Sequence, residues 1–264
     1  MFLLNDFMTW IWCLCVVGGL NPLAETDYAF LFESKHGDSL GSWFVFTFVW
    51  GYMAGVNGLA GHELIHKKDP INKMLGMLTY SKILYSHFLL EHSNGHHRNI
   101  ATPEDSATAM KNENFYTFAV RSAIGGQQHV YEREVARIES EHKEFNDDEE
   151  PGLFVHITQN RMTWFYTLHL ATLAAIYYLC GFKAVIFQLA YSGVGIFFIE
   201  LINYVEHYGL QRKKDDRGIY EAITEQHSWN SSSSHLLFRI QRHSDHHMHA
   251  YKPYQILRKM DNAP

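Results

Sequence analysis

Cysteine is scarce in this sequence, and its placement excludes several kinds of site. The three cysteines, Cys13, Cys15 and Cys180, all lie in apolar stretches, and none belongs to a CxxC pair. The chain therefore offers neither a disulfide framework nor the thiolate ligands of a zinc ribbon, an iron–sulfur cluster or a rubredoxin-type centre. Any electrons that its chemistry requires must come from another protein.

An excess of positive charge is also lacking. The formal net charge is -6, which gives no reason to expect a nucleic-acid partner. The mean hydropathy of -0.21 would suit a soluble protein, but this average hides long uncharged runs. Residues 40–61 contain no charged side chain and are long enough to cross a bilayer.

Three more apolar runs accompany that segment. Residues 7–20 are shorter than the roughly 20 residues that span a bilayer, but they lack the basic start and small-residue cleavage site of a signal peptide. We interpret them as a first span. Residues 162–180 and 182–205 predict a membrane hairpin. The expected fold is an all-α, integral-membrane helical bundle of about four spans, forming one domain over residues 1–264.

Residues 74–90 are apolar too, but they carry Lys82 and His87. If they crossed the bilayer, the histidine motif that follows them would face the opposite side from the motif after the 40–61 span. We therefore predict an interfacial or re-entrant segment. Residues 62–161 and 206–264 then share one side. Of the 22 Lys and Arg residues, only Lys35 and Lys183 fall on the other, so the shared side is predicted to be cytoplasmic.

Histidine is abundant, with 18 residues, and half of them occur in motifs. HELIH and EHSNGHH each hold two imidazoles four residues apart, RHSDHH has the i, i+3, i+4 spacing of one helix face, and NYVEHYGL adds a single histidine. Imidazole nitrogens suit zinc, copper, iron and nickel. Nine are too many for one tetrahedral ion, so two ions sharing the cluster is the simpler interpretation. The candidate ligands are His62, His66, His92, His96, His97, His207, His243, His246 and His247.

Acidic residues border these motifs and are assigned to orient the ring N–H groups of the ligands. These are Glu63, Glu91, Glu206 and Asp245. His227 and His235 are weaker candidates, because each is equally well explained as a structural histidine. Mere compositional bias does not account for several clusters at helical spacing.

HELIHK, EHSNGHH, NYVEHYGL and LFRIQRHSDHH together resemble the motifs of the membrane-bound alkane monooxygenases, which belong to the superfamily of membrane di-iron desaturases and hydroxylases. The similarity continues through ATPED at 101–105 and HSWNS at 227–231, and it covers roughly residues 51–258. The N-terminal region is expected to be shorter than in the family, by about two spans.

This resemblance implies a di-iron centre on the cytoplasmic face of the membrane, with the nine histidines as ligands. It also implies O2-dependent hydroxylation of the terminal C–H bond of an alkane or similar apolar chain, giving a 1-alkanol and water. Electrons would come from NAD(P)H through a reductase and rubredoxin or a similar carrier.

Three alternatives remain at this point. The same superfamily includes fatty-acyl desaturases and hydroxylases, and xylene-type enzymes that oxidise an aryl methyl group. A histidine-rich metal carrier without catalysis is more distant, since transport sites usually lie near the bilayer midplane. HELIH alone is also the pattern of zinc proteases, but that interpretation leaves the other clustered histidines unexplained.

Overall fold

The computed structural model describes residues 2–20, 39–145, 150–231 and 237–264. Within these ranges the regular elements are helices, and the only β-type pairing is an isolated bridge between Lys214 and Tyr220. The prediction of an all-α fold is therefore confirmed. His235 lies outside the described residues.

The helices follow one another closely along the chain. In order they are α1 (Phe2–Val17), α2 (Leu40–Ile65), α3 (Pro70–Ser81), α4 (Phe88–Glu91), a π-helical turn (His92–His96), α5 (His97–Asn99), α6 (Phe115–Phe145), α7 (Leu153–Gln159), α8 (Arg161–Cys180), α9 (Phe182–His207) and α10 (His243–Met248). Three short 3-10 turns, Glu225–His227, Leu237–Arg239 and Tyr254–Ile256, flank α10.

Local sequence explains where several helices begin. Asp69 caps α3 by accepting a hydrogen bond from the Asn72 amide at 2.9 Å, and Pro70 occupies the first helical position, where no N–H is needed. Asn160 caps α8 in the same way, through the Met162 amide at 2.8 Å. Gly181, with φ of 82°, separates α8 from α9, and the two helices pack against each other.

Two helices, α2 and α9, are long and apolar enough to cross a membrane by length and composition, and α1 is a shorter apolar helix. Small residues let α2 and α9 approach closely. A Cβ atom on Gly51 would lie 2.9 Å from the Tyr191 carbonyl oxygen, and one on Gly55 would lie 2.9 Å from that of Gly195. This is the small-residue packing common between membrane helices.

Buried polar contacts join α1 to this helix pair. Lys82 and Asp6 form a buried ion pair. Asp6 also accepts a 2.6 Å hydrogen bond from the Asn57 amide of α2. Trp10 donates to Gln188 of α9 at 2.7 Å. Because these partners come from distant parts of the chain, they fix how α1 lies on α2 and α9.

The predicted 74–90 segment consists of a helix and a turn. It starts within α3, which packs against α2, and the chain then turns near Leu84, whose φ is 57°. The Tyr85 hydroxyl donates to Glu200 of α9 at 2.8 Å. The turn thus leads into α4, and the EHSNGHH motif comes to lie beside the end of α2.

Candidate metal centre

The first two histidines lie at the C-terminal end of α2. His62 is in the last turn of the helix and His66 follows as its C-cap. Because residues four apart lie on the same helix face, their Nε2 atoms come within 3.4 Å of each other. Both rings are directed to the same point, as the spacing of HELIH predicts.

The EHSNGHH motif does not form a plain α-helix. Residues His92–His96 form a π-helical turn, which is wider than an α-helical turn. In this turn His92 comes close to His97, five residues later, with 3.0 Å between their Nε2 atoms. His96 is directed elsewhere and packs against His207 and His247. π-Helical turns are frequent at functional sites.

The remaining ligand candidates come from the end of α9 and from α10. His207 is the last residue of α9, and its Nε2 lies 3.1 Å from that of His243. His243 and His247, four apart on α10, have their Nε2 atoms 2.9 Å apart. His246, on the neighbouring face, approaches His97 Nε2 at 3.1 Å.

The nine histidines therefore form two groups, in each of which the candidate ligand atoms all lie within 4.8 Å of one another. The five-histidine group is His62, His66, His92, His97 and His246, and the four-histidine group is His96, His207, His243 and His247. The groups are adjacent, with the His97 and His247 ring centroids 4.3 Å apart. Both EHSNGHH and RHSDHH contribute to both groups.

Burial keeps several of these imidazoles neutral. It lowers the pKa of His66 to about 3, and it lowers the pKa values of His92, His97, His243 and His247 well below the usual range, with a further contribution from neighbouring histidines. At neutral pH their ring nitrogens can offer lone pairs to a cation without first losing a proton.

The donor set fits two metal ions. The Nε2 atoms converge at 2.9–3.4 Å, a separation suited to neighbouring ligands of one ion. His96 has its Nδ1 on Asp105 Oδ2 at 2.8 Å, while its buried Nε2 has no hydrogen-bond partner within the described part of the chain. A metal ion would satisfy that nitrogen.

Asp105 is a site residue that the histidine motifs do not reveal. It also accepts hydrogen bonds from the Thr108 hydroxyl at 2.6 Å and the Ala107 amide at 3.0 Å. Burial favours the neutral acid, but the neighbouring His96 and the hydrogen bonds with His96 and Thr108 outweigh it and lower the pKa of Asp105. A carboxylate that holds the outer nitrogen of a ligand histidine is a common feature of metal sites. In the sequence, the feature that could have pointed to Asp105 was its place in the family-like ATPED stretch at 101–105.

Two of the four acids assigned to orient the ligands face other partners. Glu63 pairs with Lys67, one helical turn later. Glu91 pairs with Arg133 of α6 and lies 3.7 Å from His129. Consecutive helix residues point in directions about 100° apart, so an acid next to a ligand in sequence does not face its ring. In the structure Glu91 thus ties the start of the π-helical turn to α6, whereas the Glu63 pair is local to the end of α2.

The other two acids differ from each other. Asp245 binds Lys252 at 2.7 Å, the Arg258 amide at 2.7 Å and His249 at 3.1 Å, so it fixes the segment after α10. Glu206 has an Oε2 only 3.2 Å from Nε2 of His243. That nitrogen faces the other imidazoles, so Glu206 lies on the inner side of the cluster and not on the outer N–H side that was expected.

His227 is a structural histidine. Its Nδ1 accepts the Thr224 amide hydrogen bond at 3.0 Å, and its Nε2 lies 3.4 Å from Glu221. The following residues join α9 to α10: the Trp229 amide donates to the Glu206 carbonyl at 2.9 Å, and the Ser244 hydroxyl donates to the Ser228 carbonyl at 2.8 Å. This segment thus sets His207 against the histidines of α10.

A small cavity of about 20 Å³ borders both groups. Its lining includes His62, His92, His243, Asn203 and Glu206. The rest of the lining is mainly apolar and comprises Leu59, Tyr80, Phe88, Ile199, Ile202 and Ile240. An apolar cavity next to a polar cluster can hold the end of a nonpolar molecule close to bound metal.

The fold and the site together define a helical protein with apolar, membrane-type helices and a buried, histidine-rich metal-binding cluster. The chain belongs to the fatty acid desaturase family, whose sequence profile matches residues 40–263.

Several relatives that match most of this chain are named alkane 1-monooxygenases, and a more distant one is a component of a xylene/toluene monooxygenase. Alkane 1-monooxygenase 1 of Pseudomonas aeruginosa is 36% identical over 215 residues, which is 80% of this chain and 54% of the relative. Alkane 1-monooxygenase 2 of Alcanivorax borkumensis is 35% identical over 207 residues, 77% of this chain and 52% of the relative. The hydroxylase component of xylene/toluene monooxygenase from Pseudomonas putida is 25% identical over 217 residues, 81% and 55% of the two chains. The chain spans about half the length of these relatives.

Proposed function

We propose that this protein is an alkane 1-monooxygenase, an oxidoreductase that hydroxylates the terminal C–H bond of an alkane or similar apolar chain with O2. The observation that carries the proposal is the pair of adjacent, buried histidine groups beside an apolar cavity. The similarity to alkane 1-monooxygenases over most of the chain favours alkanes over other substrates.

The nine histidines would hold two iron ions, five donors on one and four on the other. No protein side chain attacks an unactivated C–H bond, so the O2 chemistry would be supplied by iron held at these histidines. The role of the polypeptide would be to place the substrate next to the metal ions. His62, His92 and His243 border the cavity, and its apolar wall would present the methyl end of the substrate to the centre while excluding water.

The protein is further proposed to cross the membrane with α1, α2, α8 and α9 and to carry the metal centre on the cytoplasmic face. The distribution of Lys and Arg along the sequence supports this orientation. Exposed apolar side chains along α8 and α9, such as Leu170, Tyr178, Phe182 and Ile186, suit contact with lipid.

Electrons are proposed to reach the centre from NAD(P)H through a reductase and rubredoxin or a similar carrier. The sequence places its cysteines only in apolar stretches and lacks a CxxC pair, so the chain needs an external donor. A cytoplasmic centre would lie on the side of the membrane where such soluble donors occur.

The test uses the detergent-purified chain, supplied with iron, a reductase, rubredoxin and NADH. A medium-chain alkane is incubated under 18O2, and metal content is measured on the same sample. About two irons per chain and 18O-labelled 1-alkanol are expected. The variant His243→Ala, which removes one donor, should lose both metal and product.

Other outcomes would redirect the proposal. An alkene from a fatty-acyl substrate, formed without oxygen insertion, would indicate desaturation. Faster turnover of xylene than of any alkane would indicate an aryl-methyl oxidase. Stoichiometric metal binding without an O2-dependent product from any of these substrates would contradict the enzymatic proposal and favour a metal carrier.

A further inference from the structure

The two halves of α6 differ in character. Every fourth residue from Phe118 to Ile138 is buried, so one face of the helix packs inward along both halves. The first half, residues 115–131, contains one charged residue, Arg121, whereas residues 132–145 contain eight. On the outward face of the first half, four large side chains are each more than half exposed, namely Tyr116, Val120, Ile124 and Tyr131.

These four exposed side chains form a stripe along the helix. At the usual turn of about 100° per residue, they fall within an arc of roughly 80°. An exposed apolar stripe of this kind indicates contact with lipid or with another protein. The position of the stripe relative to the other helices distinguishes between these two partners.

Contacts with α8 and α9 place the first half of α6 beside the proposed membrane spans. At its start, the Phe115 ring packs against Phe197 of α9, with 4.9 Å between the ring centroids. Phe197 precedes the end of α9 at His207 by roughly 15 Å, at 1.5 Å per residue. Further along, the Tyr166 hydroxyl, in the second turn of α8, donates to Gln127 at 3.1 Å.

The stripe also joins the surface that the spans themselves expose. Phe197 is 39% exposed and Tyr166 is 45% exposed, so each end of the first half of α6 adjoins an exposed aromatic side chain of a proposed span. This continuity favours lipid as the partner, because a bilayer covers the exposed faces of neighbouring helices together, at the same depth.

The charges of α6 agree with this placement. Arg121, the one charged residue of the first half, pairs with Glu113 at 2.8 Å and donates to two backbone carbonyl groups, so its charge is neutralised within the protein. The charged half begins where α6 reaches the start of α8, since Glu134 pairs with Arg161, the first residue of that helix. Charged residues are thus concentrated where α6 would leave the membrane.

We propose that residues 115–131 of α6 lie obliquely in the cytoplasmic leaflet of the lipid bilayer, with the exposed stripe toward the acyl chains. This inference rests on the proposed topology, in which α8 and α9 cross the membrane. The inward face of the same segment packs on the metal centre, because a Cβ on Gly126 would lie 3.3 Å from Glu91 Cγ. A single helix then separates lipid from the residue that precedes His92.

The experiment compares three exposed positions in the full chain, reconstituted in phosphatidylcholine vesicles. Ile124→Cys tests the stripe, Glu139→Cys tests the charged half of the same helix, and Leu170→Cys tests the proposed span α8. Each variant carries a nitroxide label, and the signal of the identically treated wild type, which has three cysteines, is subtracted. Paramagnetic resonance measures collisions of the label with O2, which concentrates in the bilayer, and with a water-soluble Ni(II) chelate.

If the stripe contacts lipid, Ile124→Cys should resemble Leu170→Cys, with collisions with the Ni(II) chelate several-fold fewer than at Glu139→Cys and with more frequent O2 collisions. An Ile124 label as open to the chelate as the Glu139 label would overturn the inference. So would a label that meets neither reagent, because a second copy of the chain or another protein would then cover the stripe. Val120→Cys, on the same face, repeats the measurement if Ile124→Cys does not fold.

The Leu170 label separates this inference from the proposal on which it rests. A lipid-exposed Leu170 label together with a water-exposed Ile124 label would contradict the placement of α6 alone. If the Leu170 label also met the chelate freely, the proposed membrane topology would be wrong as well. Neither result alters the test for 18O-labelled alkanol, which measures the activity independently.

Discussion

A single carboxylate orients His96. Asp105 binds its Nδ1 at 2.8 Å and is itself held by Thr108, so Nε2 stays directed to the four-histidine group. Replacing Asp105 with Asn keeps the shape but removes the negative charge that fixes the ring. We expect Asp105→Asn to weaken binding of one metal ion about 10–100-fold while the helical content remains unchanged. Metal titration and circular dichroism of the variant test this.

Glu104→Gln is the matched control. Glu104 precedes Asp105, is largely exposed, and has Lys214 as a distant partner at 3.9 Å. Its variant should bind both ions like the wild type. Equal metal affinity for Asp105→Asn and Glu104→Gln would show that His96 does not depend on this contact.

For individual residues, the sequence predicts the candidate metal-binding histidines better than it predicts the residues that orient them. Imidazoles at i and i+4 share a helix face, and the structure indeed brings all nine candidates together. The support of His96 comes from a residue nine positions later, which only the tertiary fold places beside the ring. Adjacency in sequence suggested Glu63 instead, and that residue faces Lys67.

Among the helices, the close approach of α2 and α9 holds His62 and His207 in one site. A Cβ on Gly55 would lie 2.9 Å from the Gly195 carbonyl oxygen and 2.9 Å from Phe198 Cβ. Gly55→Ala should therefore force the helices apart and destabilise the protein by about 1–3 kcal/mol. The measurement is the thermal unfolding temperature in detergent, with metal content recorded as a second readout.

Gly193→Ala provides the comparison for that prediction. Gly193 also lies within α9, but nothing stands within 4 Å of the position that its Cβ would occupy. Alanine is the better helix former by about 1 kcal/mol, so this variant should be as stable as the wild type or more stable. If both variants unfolded at the same temperature, close packing at Gly55 would not be what limits the approach of the helices.

A buried acid joins α6 to the start of α8. Glu134 accepts hydrogen bonds from the Arg161 amide at 3.1 Å and side chain at 2.9 Å, and from Arg137 at 3.0 Å. Burial alone would raise its pKa, but these partners outweigh burial and lower it to about 2. Glu134→Gln should therefore destabilise the protein by about 1–3 kcal/mol near neutral pH, measured as a lower unfolding temperature.

The sign of the pH dependence follows from the lowered pKa. The stabilisation by Glu134 is fully present above about pH 4.5, the ordinary value for Glu, and is lost as pH falls toward about 2. The gap in unfolding temperature between wild type and Glu134→Gln should thus shrink below pH 4.5. Glu139→Gln, an exposed position on the same helix, should show no gap at any pH.

The helix starts and the long apolar helices could be predicted from sequence because caps, glycine and uncharged runs act locally. The π-helical turn could not. Spacing alone suggests that His92 and His96 share a partner, whereas the widened turn pairs His92 with His97 and releases His96 to the other group. The residue before the turn, Glu91, pairs with Arg133 of α6, and a tertiary contact of this kind is not reported by a local pattern.

Across the whole molecule, the two histidine groups tie together segments that are far apart in the chain. The five-histidine group draws on α2, the π-helical turn, α5 and α10, and the four-histidine group draws on the same turn, α9 and α10. Because EHSNGHH and RHSDHH each serve both groups, loss of one of the two proposed ions would loosen ligands of the other. We expect the two metal ions to bind and dissociate cooperatively.

Metal removal should therefore lower the stability of the entire chain. Ions that bind only the folded protein stabilise it, so chelation should lower the unfolding temperature by several degrees.

Burial also lowers the pKa values of His66, His97 and His247 below those of an unfolded chain, so the unfolded form takes up more protons as pH falls below about 6.5. The metal-free protein should then lose stability between about pH 6.5 and pH 3, most steeply where several histidines titrate in the unfolded form. Thermal scans at stepped pH measure this, with His156→Ala, outside both groups, as the control. A flat profile for the metal-free protein over this range would mean that the histidine cluster is open to water, and it would contradict the buried site.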